Sequence, residues 1–187
     1  MGKVVVTEFI TLDGVIEDPG GAEGGERGGW AFRFEAGPDS EAFKFDELKA
    51  SDAQLLGRVT YEGFAKAWPT MEAGAFGEKM NGMPKYVVSS TLENPAWNNT
   101  TVLNGDLVEN VAALKEQYDG DILVAGSAQL AQSLLAEGLV DELHLIVYPV
   151  VLGGGKRLFA EGSQVPLELK DTRRFGTCVL LTYAKPA

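Results

Sequence analysis

Short apolar runs punctuate the chain, each stopped by glycine or a polar cluster. VVVTEFI, residues 4 to 10, is dense in β-branched residues and predicts a first strand. Asp39 and Ser40 can cap a helix over about 41 to 50, where Phe43, Leu48 and Ala50 alternate with charges. DAQLL, 52 to 56, is a short strand that stops at Gly57, and a helix follows from about Val59 to Lys66. A glycine-rich connection leads to KYVVSS, 85 to 90, a buried strand. Asp106 with Glu109 three residues on is a capping-box pattern opening a helix to about Tyr118. DILVAG is the next strand, and SAQLAQSLLAEG is a helix capped by Ser127 and ended by Gly138. VDELHLIVYPVV, 140 to 151, and the segment 165 to 183 supply late strands, with Phe175-Gly176 as a hairpin turn.

Strands alternating with helices predict βαβ units. The fold class is therefore α/β: a mostly parallel central sheet, helices on both faces, and an antiparallel pair at the C-terminal edge. No internal repeat or linker divides the chain, and 187 residues suit a single domain over 1–187 that needs no disulfide or metal to hold its core. One stretch breaks the rhythm. DGVIEDPGGAEGGERGGW, residues 13 to 30, is crowded with glycine and ends on an aromatic; it is either a functional lid or a floppy insertion.

Charge and residue counts then exclude several function classes. The net charge of −11 leaves no basic stripe to neutralise phosphates, so no nucleic-acid partner is expected. Apolar runs are too short to span a bilayer, and Glu8 interrupts the N-terminal run before a signal-peptide core can form. A soluble, cytoplasmic protein with no membrane partner is the expectation. The one cysteine, Cys178 in TCVLL, reads as a buried strand thiol. No metal site is expected from one histidine and one cysteine without HExxH. His144 in ELHLIVY reads as a structural residue on a strand face, which also removes the base a serine hydrolase needs. The P-loop and GxGxxG patterns both fail around Gly153-Gly154-Gly155.

What remains is two strand-to-helix junctions, Gly57-Arg58-Val59-Thr60 and Ala125-Gly126-Ser127-Ala128. Each delivers backbone N–H groups at a helix N-terminus, where partial positive charge and free donors bind phosphate. Side by side at the C-terminal edge of a parallel sheet, they can hold the two ends of a dinucleotide, and Arg58 adds a fork suited to phosphate. Ordinary capping with a surface arginine is the competing explanation.

The ordered set TLDGVI, LLGRVTYEGF, KYVVSS, ILVAGSAQL and YPVVLGGGKRLF resembles the dihydrofolate reductase-like superfamily, in particular the branch holding the reductase domain of the bifunctional riboflavin-biosynthesis protein. The resemblance runs from Val4 to Tyr183 and implies an eight-stranded, mostly parallel sheet and hydride transfer from NADPH. By that resemblance Gly57, Arg58 and Thr60 hold cofactor phosphates, Ser89 and Ser90 lie beside the adenosine ribose, and Gly126, Ser127 and Ala128 form the second phosphate turn. Ile16, following Asp13-Gly14, packs on the nicotinamide, and Trp30 falls where the mobile active-site loop ends. Trp30 is then expected to offer an apolar surface that covers the reacting rings. Glu41, counted back from Gly57, falls where dihydrofolate reductases proper carry their pterin-binding carboxylate; with Asp13 it is the catalytic expectation, although a first-turn acid also favours the helix dipole.

Two departures matter. The second turn lacks the all-glycine run followed by arginine, which leaves NADPH against NADH open, and the 13–30 segment is longer than its counterpart. The LGGGKRLF run is typical of the riboflavin-type branch, whose members often pair as dimers through late strands, so a homodimer is expected. The resemblance implies an NAD(P)H-dependent reductase of a pterin- or aminopyrimidine-like heterocycle. The alternatives are the riboflavin-pathway reduction of 5-amino-6-(5-phosphoribosylamino)uracil, with Lys156 and Arg157 as the second basic anchor, and a non-catalytic nucleotide- or folate-binding module.

Overall fold

A computed structural model of the chain describes residues 1–186. Its elements run β1 (Val4–Thr11), α1 (Gly37–Ala50), β2 (Ser51–Gly57), α2 (Arg58–Ala67), α3 (Gly74–Gly82), β3 (Lys85–Val88), β4 (Thr100–Leu103), α4 (Leu107–Gln117), β5 (Asp121–Val124), α5 (Ala128–Ala136), β6 (Glu142–Tyr148), β7 (Glu168–Phe175) and β8 (Cys178–Ala184). All eight strands form one sheet in the order β4-β3-β2-β5-β1-β6-β8-β7. The strands from β4 to β6 in that order are parallel, and β8 runs antiparallel to both β6 and β7.

Three layers follow from the apolar pattern. Val4, Val6, Ile122, Val124 and Leu143 face α4 and α5 through Val111, Leu114, Leu130 and Leu134. On the opposite face Val5, Leu56, Val87 and Leu123 meet Leu48 of α1, Tyr61 of α2 and Met80 of α3. Burying central strands on both faces explains their near-continuous hydrophobic runs. Among the described residues no helix is long and apolar enough to cross a membrane.

Local differences have local causes. The first helix begins at Gly37, not after an Asp39–Ser40 cap: Ala36 occupies the N-cap position without a side-chain bond and proline sits in the first turn, where its missing N–H costs nothing. Asp106 does cap α4, accepting from the Glu109 N–H at 2.9 Å. The glycine-rich connection after α2 contains α3, and β4 is an additional edge strand of only four residues. Lys85 ties that region together. Its side chain is fully buried, donates to the carbonyls of Asn81, Met83 and Asn98, and lies over the Trp97 ring at 4.3 Å.

Candidate active site

Neighbouring strands β2 and β5 bring the two junctions together. Gly57 is the N-cap of α2 and Ser127 the N-cap of α5, neither closed by a side-chain cap bond. The Gly57 N–H donates to the Gly126 carbonyl at 3.2 Å. No larger residue fits at this contact. A Cβ on Gly57 would collide with the Ser127 side chain, and one on Gly126, whose φ is +98°, would lie 2.7 Å from Thr60 Oγ1. The Gly126–Ser127 peptide is cis. Gly57, Thr60, Gly126, Ser127 and Ala128 therefore share one edge of the sheet, with two helix starts whose first N–H groups have no intrahelical partner.

Arg58, the first residue of α2, is exposed at this edge. Its Nη1 donates to both carboxylate oxygens of Glu62, one turn on, at 2.9 and 3.0 Å. Both side chains are over 40% exposed, so the pair contributes little stability. Ser89 follows the end of β3; its Oγ accepts from the N–H groups of Thr91 and Leu92 at 3.1 and 3.0 Å. Ser90, exposed, is next along the same edge.

The 14–30 segment is docked on the glycine run near residues 152 to 158. Val15 bridges Arg157, the Ile16 N–H donates to the Lys156 carbonyl, and the Leu158 N–H donates to that of Gly14. Asp13 is the clasp. Its carboxylate accepts from Thr11 Oγ1 at 2.6 Å and from the Leu152 and Gly153 N–H groups at 3.2 and 2.8 Å. The Thr11 hydroxyl, more than the amides and against residual burial, holds its pKa down to about 2. An acid so committed positions the loop; it is a poor proton donor. Asp18, at φ 45°, winds the glycine-rich stretch by accepting from the Glu23 and Gly25 N–H groups. A cavity of about 320 Å³ lies between this loop and Leu152–Gly154.

Trp30 corrects an expectation. It is fully buried, its indole N–H donates to the Glu17 carbonyl at 2.9 Å, and its ring meets Tyr148 edge-on with centroids 5.3 Å apart. Locked at both ends, it anchors the loop and offers no surface to cover a substrate. The exposed aromatic beside it is Phe32. Ile16 is 6% exposed and belongs to the same apolar cluster as Val6, Ile10 and Leu130.

Glu41 is exposed in the first half of α1. The α1 carboxylate that reaches the sheet is Glu47. It accepts from Thr7 Oγ1 at 3.1 Å, pairs with Lys44, and lies 2.7 Å from His144 Nδ1. Burial alone would raise its pKa, but Lys44 and His144 together outweigh burial and hold it below the usual range. Glu8, on the opposite face of β1, has no such partners. It is 8% exposed, its Oε1 has no hydrogen-bond partner among the described residues, and burial pushes its pKa up to about 8. The signal for Glu8 was present in the sequence: an acid inside VVVTEFI is costly unless used.

Over residues 2–181 the chain matches the family model described as the RibD C-terminal domain. Two Bacillus subtilis (strain 168) proteins, the uncharacterized proteins YyaP and YwjB, are each 30% identical to it. The alignments cover 95% of this chain and 92% of YyaP, and 98% of both chains for YwjB. Among solved structures, a putative riboflavin biosynthesis protein from Shewanella sp. PV-4 superposes with a TM-score of 0.79 at 20% identity, covering 99% of each chain. Acinetobacter baumannii RibD gives 0.69 at 17% identity, with all of this chain matching 59% of that one. Enterococcus faecalis dihydrofolate reductase, complexed with NADP(H) and RAB-propyl, gives 0.60 at 16% identity over 100% and 98% of the chains. At these identities the structures speak for the fold, which is dihydrofolate reductase-like.

Proposed function

Because the chain belongs to the RibD C-terminal domain family, we propose that it is an NAD(P)H-dependent reductase transferring hydride to a pterin- or aminopyrimidine-like heterocycle. One observation carries the reading. The helix starts at Gly57 and Ser127 meet at the C-terminal edge of parallel strands, at a contact with no room for a Cβ on Gly57 or Gly126. Close backbone approach at paired helix N-termini is what a pyrophosphate requires. In this reading Arg58 reaches a cofactor phosphate, Ser89 and Ser90 flank the adenosine end, and Ile16 floors the nicotinamide end.

Family membership also favours a second reading, reduction of 5-amino-6-(5-phosphoribosylamino)uracil. Lys156 and Arg157 would then anchor the substrate phosphate. Lys156 Nζ lies 3.6 Å from Glu17 and Arg157 lies 4.0 Å from Asp13, both half-exposed and free to swing to an anion.

NADPH titration followed by tryptophan fluorescence, then loss of reduced-nicotinamide absorbance on adding each heterocycle, tests the proposal. Saturable quenching with turnover is expected. Quenching without turnover on any heterocycle would make the protein a binding module, and no quenching with NADPH or NADH would refute the cofactor assignment.

A further inference from the structure

We infer that the cavity beneath the glycine-rich loop is where the heterocycle is recognised: the carboxylates of Asp18 and Glu26 take the N–H groups of an amino-substituted ring, and the Arg27 guanidinium takes its oxo oxygen. The inference rests on the reductase reading above and names the residues that choose its substrate.

The space suits a small ring system. The cavity holds about 320 Å³ between the loop and Leu152–Gly154, at the small end of ligand pockets, which run from roughly 300 to 1,000 Å³. Val15 and Glu17 belong to its wall, and Ile16 between them is the residue assigned to the nicotinamide end of the cofactor. Val15 and Leu152 supply the apolar part of the lining.

Two glycines make room for its charges. A Cβ on Gly154 would collide with Arg27 Nη1, so the guanidinium lies against bare backbone in the glycine run. A Cβ on Gly28 would collide with the Asp18 carboxylate. With no side chain at either position, a cation and an anion reach one cavity.

Those charges keep free hydrogen-bonding capacity. Glu26 and Arg27 both line the cavity, and neither forms a hydrogen bond or an ion pair among the described residues. Asp18 is only 4% exposed. Its Oδ1 accepts from the Glu23 N–H at 3.0 Å and its Oδ2 from the Gly25 N–H at 3.2 Å. A carboxylate offers about four acceptor sites, which leaves half of this buried group for a ligand. Glu17 is drawn the other way, towards the backbone N–H and Nζ of Lys156 at 3.3 and 3.6 Å.

This set of groups selects a chemistry. A simple anion meets three carboxylates against one guanidinium and is repelled. Among the described residues no three acidic, histidine or cysteine groups converge on a point that could hold a metal ion. A neutral planar ring with amino and ring N–H donors beside an oxo group answers both signs at once. The rigid fork of arginine matches a planar acceptor. Replacing the amino group by a second oxo group would set an acceptor against a carboxylate, and unpaired polar groups of this kind are what make a site discriminate.

Two pteridines that differ at one position provide the test: 2-amino-4-oxopteridine and 2,4-dioxopteridine, titrated calorimetrically into the NADPH-bound protein. The amino compound is expected to bind at least about 10-fold tighter. Glu26→Gln and Arg27→Gln should each weaken it roughly 10-fold and leave the NADPH dissociation constant within about twofold. Gly154→Ala retains the arginine but displaces its guanidinium, and Gly154 lies outside the left-handed region, so the variant should fold. It should match the loss in Arg27→Gln, and the double variant should lose no more than either alone, because both changes remove one contact. Equal affinity for the two pteridines, no binding of either, or undiminished affinity in Glu26→Gln and Arg27→Gln overturns the inference. NADPH binding with turnover of another heterocycle would then leave the reductase reading standing. A wild type that binds neither NADPH nor NADH contradicts that reading and removes this inference with it.

Discussion

The phosphate-type edge and the polar centre of β1 are built on opposite principles. At the junctions of β2 with α2 and β5 with α5, function is expected from the absence of side chains: Gly57 and Gly126 matter because nothing larger fits. Around β1 it is expected from side chains whose properties are made by distant neighbours. Thr7, Lys44, Glu47 and His144 come from three elements, and Glu47 is 97 positions from its histidine. The first kind of site is encoded locally and the second only after folding. The first should tolerate changes in charge better than changes in volume, and the second the reverse.

The largest expected effect tests that contrast at Glu47. Glu47→Ala leaves Lys44 and His144 without their buried partner and should cost on the order of 3–5 kcal/mol in denaturant unfolding. A loss below about 1 kcal/mol would mean the cluster is solvated and the contrast is wrong. Because its folded pKa is lowered, the stability Glu47 contributes is present above the ordinary carboxylate range and disappears as pH falls.

Glu8 should show the opposite sign. Its folded pKa of about 8 lies above the ordinary 4.5, so between those values the folded state holds a proton that the unfolded chain has released. Stability therefore falls as pH rises across that window. Glu8→Gln should flatten the fall and stabilise the protein at pH 8 by on the order of a few kcal/mol. Parallel melting curves of the two proteins from pH 4.5 to 8 would refute the assignment.

At the other region the effects are smaller. Arg58→Ala should weaken NADPH binding by about 1.5–3 kcal/mol and leave unfolding within about 1 kcal/mol, since its exposed pair with Glu62 contributes little. Equal losses in binding and stability would make Arg58 structural. Gly57→Ala should cost about 1–3 kcal/mol through overpacking against Ser127, measured by thermal unfolding. An unchanged melting temperature would show that the two junctions do not bear on each other.

The same contrast explains what the sequence made legible. LLGRVTYEGF and ILVAGSAQL announced their junctions because a strand ending in glycine before a helix is a local pattern, and the parallel sheet with its antiparallel edge followed from alternating elements. α3 and β4 were hidden because GAFGEKMNG carries three glycines in nine residues and TTVL is a four-residue edge strand. Trp30 could be placed at the end of the loop, but its burial against Tyr148 depends on a strand more than a hundred residues on. His144 was correctly read as a strand-face residue, yet nothing near it in sequence names Glu47. Glu8 was visible only as an interruption of an apolar run; the burial that pushes its pKa up comes only with folding.

A crystal structure of the protein with bound NADPH tests the central claim most directly. The account predicts the pyrophosphate between the N-termini of α2 and α5, within hydrogen-bond reach of the backbone N–H groups after Gly57 and Gly126, with Arg58 turned from Glu62 towards a phosphate and the nicotinamide beside Ile16. Cofactor density away from these two helix starts would contradict it.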